Sequence, residues 1–298
     1  MDSLKHAYLI LAHTEFEVLQ KLVHCLDDKR NDIYIHFDQK VLHLPKLVTQ
    51  HARLHILYAR VNVHWGDVSV VAAEYRLFEA AAAQQSYAYY HLLSGVDLPL
   101  KSQEEIHAFF AAHQGQEFIG FQKGNCDKEI DLKVRRIHLY PNRFRAGKGI
   151  AAYWYRAARA LSLRLQRLFG VYRNQDVIFK KGTQWVSVTD AFVRYLLPQK
   201  SAVLAMYQQT FCSDEIFIQT LCWNSHFRLK LHHTNSEYHD CQRMIGWHQG
   251  ELTEWTSADF DRLMASGLLF ARKFSARDMN LVKRIVKQVC DTEISNSI

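Results

Sequence analysis

Two short apolar runs, HAYLILAH (6–13) and DIYIHFDQK (32–40), bracket TEFEVLQKLVHCL, whose apolar residues recur at helical spacing. Short apolar runs that end in polar residues read as buried strands, and a helix between two of them makes a β-α-β opening. That opening commits the chain to a parallel sheet with helices on its faces. Thr14, with Glu17 three residues on, fits a capping box at the first helix. The alternation continues. DVSVVAAEYRLFEAAAAQ (67–84) predicts a helix, YAYYHLLS a strand, SQEEIHAFFAAH (102–113) a Ser-capped helix with an acidic first turn, and QEFIGF a strand. TQWVSVT (183–189) reads as a strand, DAFVRYLL as a helix, and SDEIFIQTLCWN (213–224) as a Ser-capped helix start. Helices over roughly 257–267 and 276–290 close the chain. With four prolines, no repeat and no low-complexity linker, residues 1–298 are expected to form one α/β domain. Sheets of this kind bind ligands at the carboxyl ends of their strands, which marks His13, Asp38 and Asp97. Neither GxGxxG nor GxxxxGK[ST] occurs, so a phosphate-bearing ligand must be gripped in another way.

A composition of 48% hydrophobic and 22% charged residues excludes a disordered or fibrous chain. No apolar stretch reaches the roughly 18 residues of a membrane span. MDSLKHAYLILAHTEF lacks a small-residue cleavage site and reads as a first strand rather than a signal peptide. The six cysteines are scattered without a CxxC pair, which predicts reduced thiols and a cytoplasmic chain.

The net charge of +7 is unevenly spread. Lys133 to Lys181 holds thirteen Lys/Arg and one acidic residue, Asp176, a local +12 that leaves −5 for the rest. Such a segment seeks an anionic partner. Within it, 148–173 predicts a helix with one apolar stripe: Ile150, Trp154, Ala157, Ala158, Leu161, Leu165, Leu168 and Phe169. Arg156, Arg159, Arg164 and Arg167 lie largely off the stripe. Together with Tyr153 and Tyr155 this suits peripheral contact with an anionic membrane; the plainer alternative is a stripe packed on the domain with its arginines solvated. A phosphate backbone would also be attracted. No nucleic-acid-binding motif is legible, however, so no nucleic acid is expected as a partner.

IYIHFDQK, VHWGDVSVVAAE, HLLSGVDLPLKS, GTQWVSVTDAFVRYLL, SDEIFIQT and LLFARKF follow one another in an order that resembles glycosyltransferase family 14. This is the core-2/I-branching β-1,6-N-acetylglucosaminyltransferase and peptide O-xylosyltransferase group, and the resemblance covers roughly residues 6 to 275. It implies a GT-A-type, Rossmann-like mixed sheet flanked by helices and a UDP-sugar co-substrate. It also implies inversion at the anomeric carbon, transfer of a sugar of the GlcNAc or xylose class, and no divalent metal or other cofactor. The residues agree on the metal: Asp97 is followed by Leu98 and Pro99, not by a second carboxylate. The literal Asp259-Phe260-Asp261 follows Ser257 and reads as a capped helix start. The His-rich HHTNSEYHDC (232–241) has no standard zinc spacing.

By the same resemblance, Glu215 in SDEIFIQT is the catalytic base and Asp214 its neighbour at the acceptor. Arg243 and Lys273 stand in for the metal at the leaving diphosphate, with Arg272 a close competitor of Arg243. Asp38, His13 and Trp65 line the donor site, Trp185 offers an acceptor platform, and Asp97 shapes its turn while bonding the donor or the adjacent loop. Taken locally, Ser213, Asp214 and Glu215 equally suit a helix cap with first-turn acids. The disulfides, anchor and stem of the Golgi enzymes are not seen. That points to a cytoplasmic bacterial enzyme of surface polysaccharide or lipid-linked glycan synthesis. The alternative is a sugar- or nucleotide-binding relative without catalysis.

Overall fold

The computed structural model describes residues 4–143, 147, 149–248 and 251–295. In chain order the regular elements are β1 (His6–Ala12), α1 (Phe16–Cys25), β2 (Asn31–Phe37), β3 (Arg53–Ile56), α2 (Ser69–Gln84), β4 (Tyr89–Ser94), β5 (Asp97–Pro99) and α3 (Gln103–Ala112). Next come α4 (Asp127–Val134), α5 (Ile150–Leu168), β6 (Ser187–Thr189), α6 (Asp190–Leu196), α7 (Lys200–Tyr207) and α8 (Phe217–Trp223). The chain closes with β7 (Arg243–Ile245), β8 (Trp247–His248), β9 (Glu251–Leu252), α9 (Phe260–Met264), β10 (Phe270–Arg272) and α10 (Met279–Ser295).

The main sheet runs β3-β2-β1-β4-β6. Its first four strands are parallel and β6 is antiparallel to β4, which makes it the mixed, helix-flanked sheet expected. Side chains alternate across it. Tyr8, Ile10 and Ala12 of β1, with Ile33, Ile35 and Phe37 of β2, pack on one face against α1 and α10. Ala7, Leu9 and Tyr34 pack on the other against α2, α6 and α8. Both faces are covered, so the strands read as continuous apolar runs. The register pairs Ala12 with Phe37 and Leu11 with Ser94, which sets the carboxyl ends of β1, β2 and β4 along one edge. A smaller sheet, β5-β10-β7, continues from that edge.

Several local expectations change. At α1 the residue before the helix is Glu15, in the left-handed region with φ 55°, and no side chain caps it. Its carboxylate instead accepts from the Ala276 amide at 2.6 Å, a long-range contact the Thr14/Glu17 pattern does not reveal. The Ser102 capping box is present. Ser213 caps nothing: it is buried and its hydroxyl has no partner. QEFIGF makes only isolated bridges at Glu117 and Phe118. The 183–189 strand shrinks to Ser187–Thr189, because β4 offers it partners only there. Asp259 closes a capping box, with Thr256 rather than Ser257 as the cap. Of the six cysteines, Cys25, Cys212, Cys222 and Cys241 are buried, and the sulfurs of Cys25 and Cys290 stand 3.8 Å apart. Among the described residues no helix is long and apolar enough to cross a membrane.

Candidate active site

Just beyond the strand ends stand His13 and Asp38. Asp38 is held by the Lys40 amide at 2.9 Å and pairs with the Lys40 ammonium at 3.1 Å. Partial loss of water contact draws the His13 imidazole below its usual range, against the pull of Asp38; Lys40 and Arg272 also lower it. These groups therefore share one strand-end neighbourhood.

Asp97 explains the turn in HLLSGVDLPLKS. Its carboxylate accepts from the Ser94 amide at 3.0 Å, from the Ser94 hydroxyl, and from Arg272 Nε at 3.2 Å. The group is buried and its bonds lie within the protein. It shapes the turn and holds Arg272, which corrects its placing as a direct donor contact.

Arg243 and Trp185 need correcting too. Arg243 is 1% exposed. Its Nη1 donates to the Cys241 carbonyl at 2.6 Å and its Nη2 to Val186 O and Ser187 Oγ, both at 3.0 Å. A guanidinium locked in this way cannot reach a departing diphosphate. Burial also lowers its pKa, opposed by nearby anionic groups that include Asp97. Trp185, 4% exposed, is no open platform. Its ring lies under the Arg272 guanidinium at 4.2 Å. Arg272 is thus clamped between Asp97 and Trp185 while part of its side chain stays in water. The competitor, not Arg243, is the arginine at the strand ends. Lys273 beside it is one-third exposed and makes a 3.7 Å pair with Glu254.

Glu215 sits in a tight turn, Ser213–Glu215, that runs into α8. Lys133 from the end of α4 reaches its carboxylate at 2.8 Å and Lys181 at 3.5 Å; Glu129 pairs with the same two lysines at 2.8 and 3.6 Å. Against the penalty of burial, Glu215 and Glu129 hold the Lys133 ammonium above its usual range. Lys181 arrives there because Gly182 donates its amide to the Glu215 carbonyl at 2.9 Å. A Cβ at Gly182 would lie 1.9 Å from the Gly120 carbonyl oxygen, so only glycine fits this crossing.

Behind Glu215 lies a second acid pair. Burial, then the charge of Glu215, pushes the Asp214 carboxyl up to about 7. Glu74 of α2 is completely buried, and burial followed by Asp214 drives its pKa well above the usual range. Among the described residues its carboxylate accepts a hydrogen bond from Gln184 at 2.6 Å; Glu74 Oε2 and Asp214 Oδ1 are buried without one. Asp214 keeps Oδ1 buried, while the residue as a whole is half-buried. Trp65 is 45% exposed and meets Phe211 edge-on at 5.4 Å. Gly66, at φ +77°, leaves room for that ring, which a Cβ would meet at 2.6 Å. The Gly66 carbonyl accepts from the Cys212 amide at 2.8 Å, tying the Trp-Gly turn to the Glu215 turn.

The structure therefore makes two neighbouring groups: His13, Asp38, Arg272 and Lys273 at the strand ends, and Glu215 with Asp214, Glu74, Lys133 and Lys181 beside them. Gln184-Trp185 joins the groups, one residue holding Glu74 and the next bedding Arg272. Glu74, Glu129, Lys133 and Lys181 were not singled out from sequence, although VHWGDVSVVAAE ends on Glu74 and the basic run begins and ends on the two lysines. Among the described residues, no group of three or more His, Cys, Asp or Glu is placed to hold a metal ion. In the His-rich tract, His232 bonds Gln116 at 2.6 Å and packs on Phe118.

No curated protein sequence matches the chain. Among solved structures it is similar to that of mouse xyloside xylosyltransferase 1 in its apo form. That likeness has 9% identity over 89% of this chain and 97% of that one, with a TM-score of 0.34, and carries no argument here. The sequence-family comparison is decisive. The model described as core-2/I-branching enzyme matches residues 6–275, nearly the whole chain and every strand end and acidic turn described above, so the chain belongs to the core-2/I-branching enzyme family.

Proposed function

We propose that the chain, a glycosyltransferase by family, moves a sugar of the GlcNAc or xylose class from a UDP-sugar to a saccharide hydroxyl with inversion and without a divalent metal. The acceptor would be a surface polysaccharide or a lipid-linked glycan. The observation that carries the reading is the Glu215 carboxylate: one-third exposed at the mouth of a rigid turn and held in position by two lysines. An inverting transfer needs one such group. As the acceptor oxygen bonds to the anomeric carbon and the bond to the diphosphate breaks, Glu215 takes the hydroxyl proton and UDP leaves with the electron pair. Fixed charge around the base keeps it in place at no reorganisation cost during the reaction. Arg272 and Lys273 would stand against the leaving diphosphate, the role first given to Arg243 and Lys273. His13, Asp38 and Trp65 would line the donor pocket.

Calorimetry with UDP, GDP, CMP and dTDP, each in EDTA and in Mn²⁺, tests this reading. UDP binding that is indifferent to EDTA and weakened at least tenfold in Arg272→Ala or Lys273→Ala is expected, because each charge-assisted contact is worth about 1.5–3 kcal/mol. Binding that needs Mn²⁺ would overturn the metal-free reading. Nucleotide binding with no turnover in any UDP-sugar screen would instead leave a binding relative.

A further inference from the structure

The basic segment is turned inside out. In α5 the residues packed on the body of the protein are Ala152, Arg159 and Gln166, spaced seven apart. Gln166 is buried: its Oε1 accepts from the Ile137 amide and its Nε2 donates to the Ile137 carbonyl, both at 2.8 Å, with Ser162 at 3.0 Å. Arg159 Nε donates to His138 Nδ1 at 2.9 Å, and its guanidinium lies 4.6 Å from the Phe211 ring centre. These bonds fix the rotation of the helix, because any turn about its axis would bury a broken polar pair. The apolar stripe is consequently on the outside. Ile150 is 80% exposed, Trp154 66%, Leu161 58% and Leu168 76%. The apolar surface runs on through Phe169 and Val171, which are exposed as well. Exposed Arg156, Arg164 and Arg167 flank the stripe, and none makes an ion pair with a described residue. No acidic residue lies between Ile150 and Leu168.

From this inverted face we infer that α5 docks the protein on an anionic lipid surface, its aliphatic and tryptophan side chains entering between headgroups and its arginines pairing with lipid phosphates. An isolated apolar residue outside means little, but a contiguous stripe of this kind marks an interaction surface. Arginines flanking an apolar wedge suit the boundary between acyl chains and phosphates. A second copy of the chain suits it poorly, since a two-fold contact through this helix would set like-charged arginine rows against each other. The surface adjoins the candidate active site. The inner face of α5 rests on Phe211, four residues before Glu215 and in ring contact with Trp65. Only the idea that α5 presents Glu215 to a lipid-linked acceptor rests on the function proposed above; the docking itself does not.

Co-sedimentation of the full chain with vesicles of phosphatidylcholine alone, or mixed with phosphatidylglycerol, at low and high salt, tests the inference. Binding is expected only to the anionic vesicles and is weakened by salt. Arg164→Gln with Arg167→Gln should lower it about fivefold per arginine, and Trp154→Ser with Leu161→Ser by at least tenfold, with thermal midpoints unchanged because these side chains are exposed. Absence of binding to either vesicle overturns the inference. So does binding that survives the Trp154/Leu161 change, or light scattering that finds a dimer which Leu161→Ser disperses. If a soluble acidic protein binds α5 while vesicles do not, the occupant is a protein and the inference falls. Hydrolysis of a UDP-sugar in solution, which none of these substitutions touches, reports separately on the reaction.

Discussion

The parallel sheet and the basic segment bury opposite kinds of side chain. In β1, β2 and β4 most of the buried side chains are apolar. The polar ones, His6, Asn31, Asp32, His36, His91 and Ser94, include the Lys5–Asp32 pair at 2.8 Å and the bonds of His91 to Ser187 and His6. Around α5 the interior is polar, built from Arg136, His138, Arg159 and Gln166, while leucine and tryptophan face out. The difference follows from where backbone hydrogen bonds go. Inside the sheet every strand satisfies its neighbour, so side chains are free to follow hydropathy. The 135–143 and 169–173 connections belong to no sheet, and although some of their amides find backbone carbonyls, as Val171 does at Gln166, others turn to side chains. Gln166 serves both polar groups of Ile137, and Arg136 serves the carbonyls of Gln166 and Val171 at 3.2 and 2.8 Å. Hydropathy predicts burial only where the backbone is already satisfied.

Glu215 lies on the seam, with lysines from the basic segment in front and buried acids behind. Glu215→Gln is predicted to lower turnover by about 10²–10⁴ while UDP affinity holds; an equal fall in UDP affinity would move Glu215 into the donor site and break the two-region account. On stability, Ile35→Ala in the sheet should cost about 2–5 kcal/mol. Gln166→Leu, an apolar substitution at a buried site, should still cost about 2 kcal/mol by stranding Ile137 N–H and C=O. Urea unfolding of both decides this, and a neutral or stabilising Gln166→Leu refutes the polar interior.

A smaller effect concerns Asp214, whose folded-state pKa is raised to about 7 by burial. The unfolded carboxyl ionises near pH 4 and the folded one only near pH 7, so this group lowers stability progressively as pH rises across that window and is neutral below it. Asp214→Asn should therefore raise the thermal midpoint by a few degrees near pH 8 and leave it unchanged near pH 4. A gain of the same size at both pH values would show that charge is not the cause. Smallest of all, Leu161→Gln on the outward face should change stability by less than about 0.5 kcal/mol. A loss like that of Ile35→Ala would mean that α5 packs its stripe inward after all.

The sequence by itself determined the order and type of the main elements, because β1, β2 and β4 carry their apolar pattern locally and crossover helices leave parallel strands little choice. It also determined the family, and with it the acidic turn at Glu215 and the strand-end residues His13 and Asp38. Ser102 announced its cap in four residues. Only the tertiary structure decided which of Arg243 and Arg272 faces water, for both are basic residues in short strands and the choice rests on Asp97 and Trp185 from distant parts of the chain. It likewise decided that Asp97 and Trp185 act on Arg272, that Glu74 lies behind Asp214, and that Lys133 and Lys181 converge on Glu215 across 82 and 34 residues of chain. Periodicity located the stripe of α5 but not its direction. An amphipathic helix has two faces, and which one turns inward was fixed by hydrogen bonds to Ile137 and His138, contacts that no spacing within the helix encodes.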